Sequence, residues 1–360
     1  MVLQKKDNAQ IIVLELDLSN EKLALEELKI LAGKTISVNN GHALIEVRKT
    51  REKTKTRHQL PLETYSMLKR LAFSRAGYLY LFSAKNAKDL DLEIAKFDWK
   101  KIFKKDFSFR KKEGFCKTLK VLSEQHIGGA IWDALESQAT SPKLNLKKPT
   151  TPIEAIELDK EIIFMLRVWE RESFESRRPI KRKGFHPSGI HPKLARACIN
   201  ISGELKGRLL DPFCGSGGIL IESRLLGFET YGIDCDEVMI DKCKKNLSYL
   251  ALKANVRQGD AFKVKGNYDL VVTDPPYGKN SSIKGDKKNA DEDKIKRINL
   301  FYIKFLKNIK KNTSNIVMVF PHFANWNKII KESGWFCNFS TEIYVHKSLS
   351  RIITHLKKFN

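Results

Sequence analysis

Two short segments contain residues whose types and spacing could do chemistry. The first is DPFCGSGGILIES at 211–223, where a glycine-rich loop follows an aspartate at the end of an apolar run. The second is TDPPYG at 273–278, which combines an acid, two prolines and an aromatic ring. A glycine loop between a strand and a helix is the usual place for a nucleotide-like cofactor. Together the segments predict S-adenosylmethionine beside a planar nitrogen that is to be methylated.

The glycine loop is predicted to hold this cofactor together with acids at three successive strand ends. Gly215 and Gly217 let the backbone approach a ligand without a Cβ in the way. Asp211 is expected to accept from the ligand's amino group, Asp234 from ribose hydroxyls and Asp260 from adenine N6. A nicotinamide cofactor is the alternative, which the loop suits less well. The candidate cofactor-binding residues are Asp211, Gly215, Gly217, Asp234, Asp260 and Ala261.

The second segment is predicted to bind the acceptor nitrogen, with Asp274, Pro275 and Tyr277 as catalytic candidates. An exocyclic aromatic amine is a poor nucleophile because its lone pair is delocalised into the ring. The Asp274 side chain and the Pro275 carbonyl can hold the amine's hydrogens, while the Tyr277 ring stacks on the base. The prolines stiffen the loop, so these acceptors are in place before the base arrives.

Composition indicates a globular protein that binds a polyanion. Apolar residues make up 42% of the 360 residues, and no apolar run is long enough to span a bilayer, so we expect a cytoplasmic protein without a membrane partner. The six cysteines show no metal-binding spacing, and we expect no metal site. The net charge is +24, and residues 51–200 contain 32 basic against 18 acidic side chains. Such a regional positive field favours nucleic acid.

Basic residues of the first half are candidate phosphate contacts, with solvated surface as the alternative for each. A second charged stretch, 279–297, follows the aspartate–proline segment. It is either a lid over a flipped base or a surface loop, and the sequence does not decide between them. The candidate RNA-binding residues are Lys111, Lys112, Arg177, Arg178, Lys181, Arg182 and Lys183.

The pattern of breakers and periodicities predicts three modules and a linker. Residues 1–75 and 76–168 each combine strands and helices, and 169–184 is a basic linker by composition. From 185 to 360 strands alternate with helices, as a doubly wound parallel sheet requires. The predicted fold class is therefore α/β.

Several segments resemble the archaeal tRNA guanosine-10 N2-methyltransferases. They are HPSGIHPKLAR at 186–196, DPFCGSGGILIE at 211–222, DPPYG at 274–278 and VHKSLSR at 345–351. The resemblance implies a ferredoxin-like domain (1–75), a THUMP RNA-binding domain (76–168) and a Rossmann-like class I methyltransferase domain (185–360). It further implies one or two methyl transfers from S-adenosylmethionine to guanosine N2, with the THUMP domain engaging the acceptor end of tRNA. Ser216 departs from the threonine common in the family.

Other functions remain open at this stage. Relatives of the family act on guanosine 6 of tRNA or on ribosomal RNA. DNA amino-methyltransferases and protein glutamine methyltransferases use a similar motif to bind the acceptor nitrogen. The DNA enzymes predict a target-recognition domain downstream of the methyltransferase domain or inserted in it, whereas the extra residues here are N-terminal. The protein-modifying enzymes predict no basic N-terminal half. A non-catalytic RNA-binding protein is the alternative of another class, against which the intact acids argue. We expect a monomer with tRNA as partner, and a small activator protein is left open.

Overall fold

The computed structural model describes residues 9–33, 35–48, 60–112, 118–278, 290–346 and 349–358. The chain divides into two compact units. The first unit comprises Met1–Ala24 and Leu31–Arg171, and the second comprises Leu25–Ile30 and Glu172–Asn360. Among the described residues, each sheet has seven strands.

The first sheet has the strand order β2-β3-β1-β4-β7-β6-β5 and is antiparallel apart from the pair β5–β6. Its strands are β1 (Ala9–Leu16), β2 (Thr35–Asn39), β3 (His42–Arg48), β4 (Ser74–Ala84), β5 (Phe107–Lys111), β6 (Thr151–Leu158) and β7 (Glu161–Glu170). The helices are α1 (Glu21–Ala32), α2 (Leu62–Arg70), α3 (Ala87–Lys96), α4 (Thr118–Val121) and α5 (Glu124–Ser137).

The predicted boundary at 75/76 is wrong because it falls inside β4. This strand pairs with both β1 and β7, so one sheet runs through both predicted N-terminal modules. A Cβ at Gly77 would lie 3.4 Å from side-chain atoms of Leu14 and Trp169, so the glycine permits close packing in a buried strand.

The predicted linker is also shorter and more ordered than expected. β7 continues to Glu170, and two 3₁₀ turns, Glu175–Arg177 and Pro179–Lys181, occupy part of the remainder. Both turns belong to the second unit, whose boundary lies between Arg171 and Glu172.

The second sheet has the order β10-β9-β8-β11-β12-β14-β13, with β8 to β12 parallel and the last two strands antiparallel. The predicted α/β class is confirmed. The strands are β8 (Arg208–Asp211), β9 (Glu229–Asp234), β10 (Asn255–Gln258), β11 (Leu270–Thr273), β12 (Asn315–Pro321), β13 (Trp335–His346) and β14 (Leu349–Lys358). The helices are α6 (Pro192–Asn200), α7 (Gly218–Leu225), α8 (Glu237–Tyr249), α9 (Ala290–Ile309) and α10 (Trp326–Ser333).

The charged stretch 279–297 includes helical residues at its C-terminal end. Residues 279–289 lie outside the described residues, but 290–297 form the first turns of α9. Among the side chains of α9 from 293 onward, the first buried one is Ile298, and Tyr302 and Leu306 follow it. The first two turns therefore lacked the apolar periodicity that indicates a helix. Among the described helices, none is long and apolar enough to cross a membrane.

Candidate active site

The strand order of the second sheet creates a crevice between β8 and β11. The chain leaves β8 toward one side of the sheet and returns at β11 on the other, and ligands of open α/β sheets bind at such a switch point. Asp211 ends β8, Asp234 ends β9 and Asp274 follows β11. Because parallel strands end at the same edge of a sheet, the structure brings these three predicted acids to one edge.

The glycine loop after β8 has the backbone conformation that its sequence predicts. Gly215 and Gly217 have φ values of +49° and +87°, a region that favours glycine. A Cβ at Gly217 would lie 2.6 Å from the Cys243 sulfur, whereas a Cβ at Gly215 would meet no atom within 4 Å. Gly217 is thus needed for packing, and Gly215 faces open space that a ligand can fill.

Asp211 is buried and hydrogen-bonded within the protein. Its Oδ1 accepts from the Thr273 hydroxyl at 2.8 Å and from the Phe213 amide at 3.1 Å. Burial raises the pKa of this carboxyl to about 8. The bond to Thr273 links the end of β8 to the end of β11, so it joins the two predicted half-sites.

Asp234 and Asp260 organise the neighbouring turns. The Asp234 carboxylate accepts from the Gly215 amide at 2.8 Å and from the Asp236 amide at 3.0 Å. Asp260 is exposed and accepts from the Phe262 amide at 2.9 Å, while Ala261 is buried. Both acids therefore lie where the sequence predicts them, at the carboxyl edge of the sheet.

The loop after β11 is held by side chains from two distant elements. Arg351, on β14, places its Nη2 3.1 Å from Asp274 Oδ2 and donates from Nε to the Tyr277 hydroxyl at 3.2 Å. The Tyr277 hydroxyl in turn donates to Asp274 Oδ1. The Tyr302 hydroxyl of α9 donates to the Pro276 carbonyl at 3.0 Å. No hydrogen bond among the described residues uses the Pro275 carbonyl.

Burial sets the electrostatics of this loop. It raises the pKa of Asp274, and the positive charge of Arg351 acts in the opposite direction. It also raises the pKa of Tyr277, and the Asp274 charge adds to that effect. The tyrosine is therefore a neutral donor and the aspartate a hydrogen-bond acceptor that Arg351 helps to keep ionised.

The sequence predicts no role for Arg351, although this residue ends the segment VHKSLSR at 345–351 that contributes to the family resemblance. Its position follows from strand pairing, because Arg351 lies opposite Pro321 in the β12–β14 ladder. β12 is itself the neighbour of β11, so the arginine reaches the loop that follows β11. Nothing in the local sequence around Arg351 indicates this antiparallel return.

Two of the predicted RNA contacts are corrected because their guanidinium groups are buried in the protein. Arg177 donates to Glu222 at 2.7 Å and pairs with Glu172 at 3.0 Å. Arg182 donates to the carbonyls of Arg177 and Ile190 at 2.9 and 3.1 Å, and burial lowers its pKa to about 10. These arginines pack the segment before α6 and offer no exposed charge to a phosphate.

Lys111 and Lys112 are also corrected, since both are half-buried and engaged. Lys111 Nζ donates to the carbonyls of Leu119 and Leu122, and Lys112 Nζ pairs with Glu15 at 2.7 Å and with Glu154 at 3.4 Å. The other three predicted RNA contacts are exposed: Arg178, Lys181 and Lys183.

A more exposed basic surface lies on two loops of the first unit. The segments 99–105 and 142–149 contain seven exposed lysines and no acidic residue. Asp106 joins them, because its carboxylate accepts from the Thr150 amide at 2.6 Å and from the Asn145 side chain at 2.9 Å. We name this surface the lysine loops. The lysines are Lys100, Lys101, Lys104, Lys105, Lys143, Lys147 and Lys148.

Five parallel strands followed by an antiparallel pair, with a glycine loop after β8 and an aspartate–proline loop after β11, form the fold of a class I methyltransferase. A family model described as "RMKL-like, methyltransferase domain" matches residues 179–351. A model described as "DNA methylase" matches residues 48–245, a range that ends before Asp274 and so does not bear on the base site. TrmN from Thermus thermophilus covers 97% of this chain and all of its own at a TM-score of 0.54 and 17% identity, which shows the fold.

The curated relatives identify the family within this class. A tRNA (guanine(10)-N2)-dimethyltransferase from Methanothermobacter thermautotrophicus is 32% identical over 83% of this chain and 87% of its own length. One from Pyrococcus abyssi is 31% identical over 63% of this chain and 69% of its own. The chain belongs to the family of the tRNA (guanine(10)-N2)-dimethyltransferases.

Proposed function

We propose that this protein transfers methyl groups from S-adenosylmethionine to the exocyclic N2 of guanosine 10 in tRNA. One observation carries the proposal: Thr273 joins the loop of Asp274 to Asp211, so an acceptor for an amine lies beside the glycine crevice. The relatives named for guanosine 10 support this position over guanosine 6 or ribosomal RNA.

The residues of the crevice fit S-adenosylmethionine, whose sulfonium supplies an electrophilic methyl group when bound. The open space beside Gly215 admits a ligand against the backbone. The hydrogen bonds of Asp211 to Phe213 and Thr273 use Oδ1, so Oδ2 would pair with an ammonium group, whose positive charge would favour the ionised carboxylate over the neutral acid. Asp234 and Asp260 would hold the ribose hydroxyls and the adenine amine, and the Ala261 backbone would line the adenine site.

The base-site loop would then prepare the guanine amine for attack. Its two hydrogens would be accepted by Asp274 and by the Pro275 carbonyl, which turns the nitrogen lone pair toward the methyl group. The Tyr277 ring would cover the face of the base. The N–H proton becomes acidic only after transfer, so a buried carboxylate with a raised pKa is a sufficient acceptor for it.

We further propose that the first unit, with its ferredoxin-like and THUMP parts, binds the tRNA backbone. The lysine loops supply seven exposed lysines, of which Lys101 is paired with Asp98 at 3.0 Å. Arg178, Lys181 and Lys183 add exposed cations in the second unit. A monomeric protein in the cytoplasm is the simplest form of this proposal, and a small activator subunit is compatible with it.

The test is nucleoside mapping by mass spectrometry after incubation with S-adenosylmethionine and an unmodified tRNA transcript. We expect N2-methylated guanosine at position 10, one or two methyl groups per site, and no product when guanosine 10 is replaced by adenosine. Parallel incubations with a ribosomal RNA fragment and with duplex DNA test the other substrates. Methylation confined to position 6, to ribosomal RNA or to DNA would overturn the proposal.

A further inference from the structure

Arg351 is buried, and among the described residues its guanidinium pairs with side chains of the base-site loop. Its guanidinium contacts Asp274 Oδ2 at 3.1 Å and the Tyr277 hydroxyl at 3.2 Å. Only 8% of the residue is exposed. Burying a guanidinium is costly unless it is paired and hydrogen-bonded, so this contact is a substantial constraint on where the loop can lie.

The contacts form a closed ring of three side chains. Arg351 donates to Tyr277, Tyr277 donates to Asp274 Oδ1, and Arg351 pairs with Asp274 Oδ2. Each carboxylate oxygen has two lone pairs, so one contact on each oxygen leaves a lone pair to accept from an incoming amine. The ring fixes the carboxylate plane without using up its capacity to accept.

We propose that Arg351 is a positioning residue for methyl transfer, which holds Asp274 as an ionised acceptor and directs the Tyr277 hydroxyl toward it. This inference rests on the proposed function, since it assigns a role within the same site. Arg351 does not touch the base in this role. It acts through Asp274, which would otherwise gain a proton in its buried setting.

The charge balance around Asp274 supports this role. Burial raises its pKa, and among the groups that face it Arg351 is the cation that opposes this rise. The other groups are neutral donors, a buried thiol and a second carboxyl, which either have no charge or add negative charge. The titratable groups facing Asp274 are Arg351 from β14, Tyr277 from its own loop, Tyr302 from α9, Cys198 from α6 and Asp211 from β8.

The test compares Arg351→Met, which keeps length without charge, with Arg351→Lys, which keeps charge but loses the fork of donors. The full-length protein is used with tRNA transcript and S-adenosylmethionine at saturation, and the transfer rate is measured from pH 5.5 to 9. We call the low-pH side of the pH–rate profile, where the rate rises with pH, its acid limb. In Arg351→Met this acid limb should move to higher pH by about one to three pH units, because loss of an adjacent opposite charge raises a carboxyl pKa. The rate on the plateau should fall about 100-fold and KM for tRNA little.

Arg351→Lys should return the limb close to that of the unaltered protein while the plateau stays low. A uniform loss at all pH values in both variants, with no movement of the limb, would show a merely structural residue and overturn the inference. If Arg351→Met fails to fold, Tyr277→Phe decides instead. It removes the other donor to Asp274, so its limb should move in the same direction by a smaller amount. Failure of the unaltered protein to methylate tRNA would instead reject the proposed function, and this inference with it.

Discussion

At the scale of single residues, the site depends on a carboxylate that is buried yet still able to accept hydrogen bonds. Burial alone would favour the neutral acid, which offers fewer acceptor sites. Arg351 opposes that tendency, and the Tyr277 hydroxyl stabilises the same charge by donating to it. Amine methylation needs such an acceptor more than it needs a strong base, because the amine proton is released only after the carbon–nitrogen bond forms.

Replacing Asp274 should therefore separate chemistry from cofactor binding. We expect Asp274→Ala to reduce the transfer rate by at least about 1,000-fold, since it removes the acceptor and leaves Arg351 buried without its partner. Asp274→Asn is the matched control, because it keeps one acceptor oxygen and should retain more activity. S-adenosylmethionine affinity, measured by calorimetry, should be nearly unchanged in both. A large loss of affinity would place Asp274 in the cofactor site.

Single residues also mark where sequence reasoning succeeds and where it stops. The sequence could predict the positions of Asp211, Asp234 and Asp274, because an acid at the end of a parallel strand lies at the carboxyl edge of the sheet. It could not predict the position of Arg351, because this residue reaches its partner Asp274 only through the antiparallel pairing of β14 with β12. Arg177 and Arg182 look like surface cations in sequence. Arg177 is paired with Glu222, an acid of α7 that adjacency along the chain cannot reveal, and Arg182 donates to backbone carbonyls.

At the scale of elements, the loop from β8 to α7 combines two glycines with different tasks. Gly217→Ala should destabilise the protein by about 3 kcal/mol, because the new methyl group would be strained at positive φ and would collide with the Cys243 sulfur. Gly215→Ala should lower the free energy of unfolding by only about 1 kcal/mol, since the new Cβ would meet no atom within 4 Å.

Gly217→Ala should have the larger effect on stability, but Gly215→Ala should have the larger effect on cofactor binding. Gly215→Ala places its methyl group in the crevice and should weaken S-adenosylmethionine binding about tenfold, measured by calorimetry on protein whose circular dichroism melt is intact. Equal melting temperatures for the two variants would contradict the packing role of Gly217. Unchanged affinity in Gly215→Ala would contradict the ligand-facing role of Gly215.

The same scale shows why five strands were predictable and two were not. β8, β11 and β12 contain short buried apolar runs, and β9 and β10 continue the predicted alternation of strands with helices. β14 contains the polar residues Thr354 and His355 in a buried segment. Thr354 donates to the Met318 carbonyl, and the His355 ring contacts the Asn315 side chain. Those partners exist only once β14 lies against β12, so its sequence does not resemble a core strand.

At the scale of the whole molecule, the excess charge is divided between charges that hold the fold and charges that are free to bind. The clustering of basic residues along the sequence favoured Lys111 and Lys112 as RNA contacts, but both pair with acids or carbonyls of their own unit. The lysine loops instead combine exposure with a frame of hydrogen bonds around Asp106. Loops held in this way can present several ammonium groups without ordering them anew when a phosphate backbone binds.

The lysine loops should accordingly set the salt dependence of tRNA binding. A quadruple variant with glutamine at Lys104, Lys105, Lys147 and Lys148 should reduce the slope of log affinity against log salt by roughly 3, because each lost phosphate contact removes ~0.7–0.9 from it. The control removes four other exposed lysines, which lie near the amino ends of β8, β11 and β12, the edge opposite the active site. They are Lys206, Lys265, Lys307 and Lys311.

The comparison of these two variants distinguishes a binding surface from net charge. Both lose four positive charges, so any effect of overall electrostatic attraction should be equal in the two. A smaller slope in the lysine-loop variant alone, measured by filter binding between 50 and about 300 mM salt, would indicate direct contacts. Equal slopes in the two variants would mean that tRNA affinity depends only on the net charge of the protein. The methyl transfer rate at saturating tRNA should stay unchanged in both variants, since none of these lysines belongs to the glycine loop after β8 or to the aspartate–proline loop after β11.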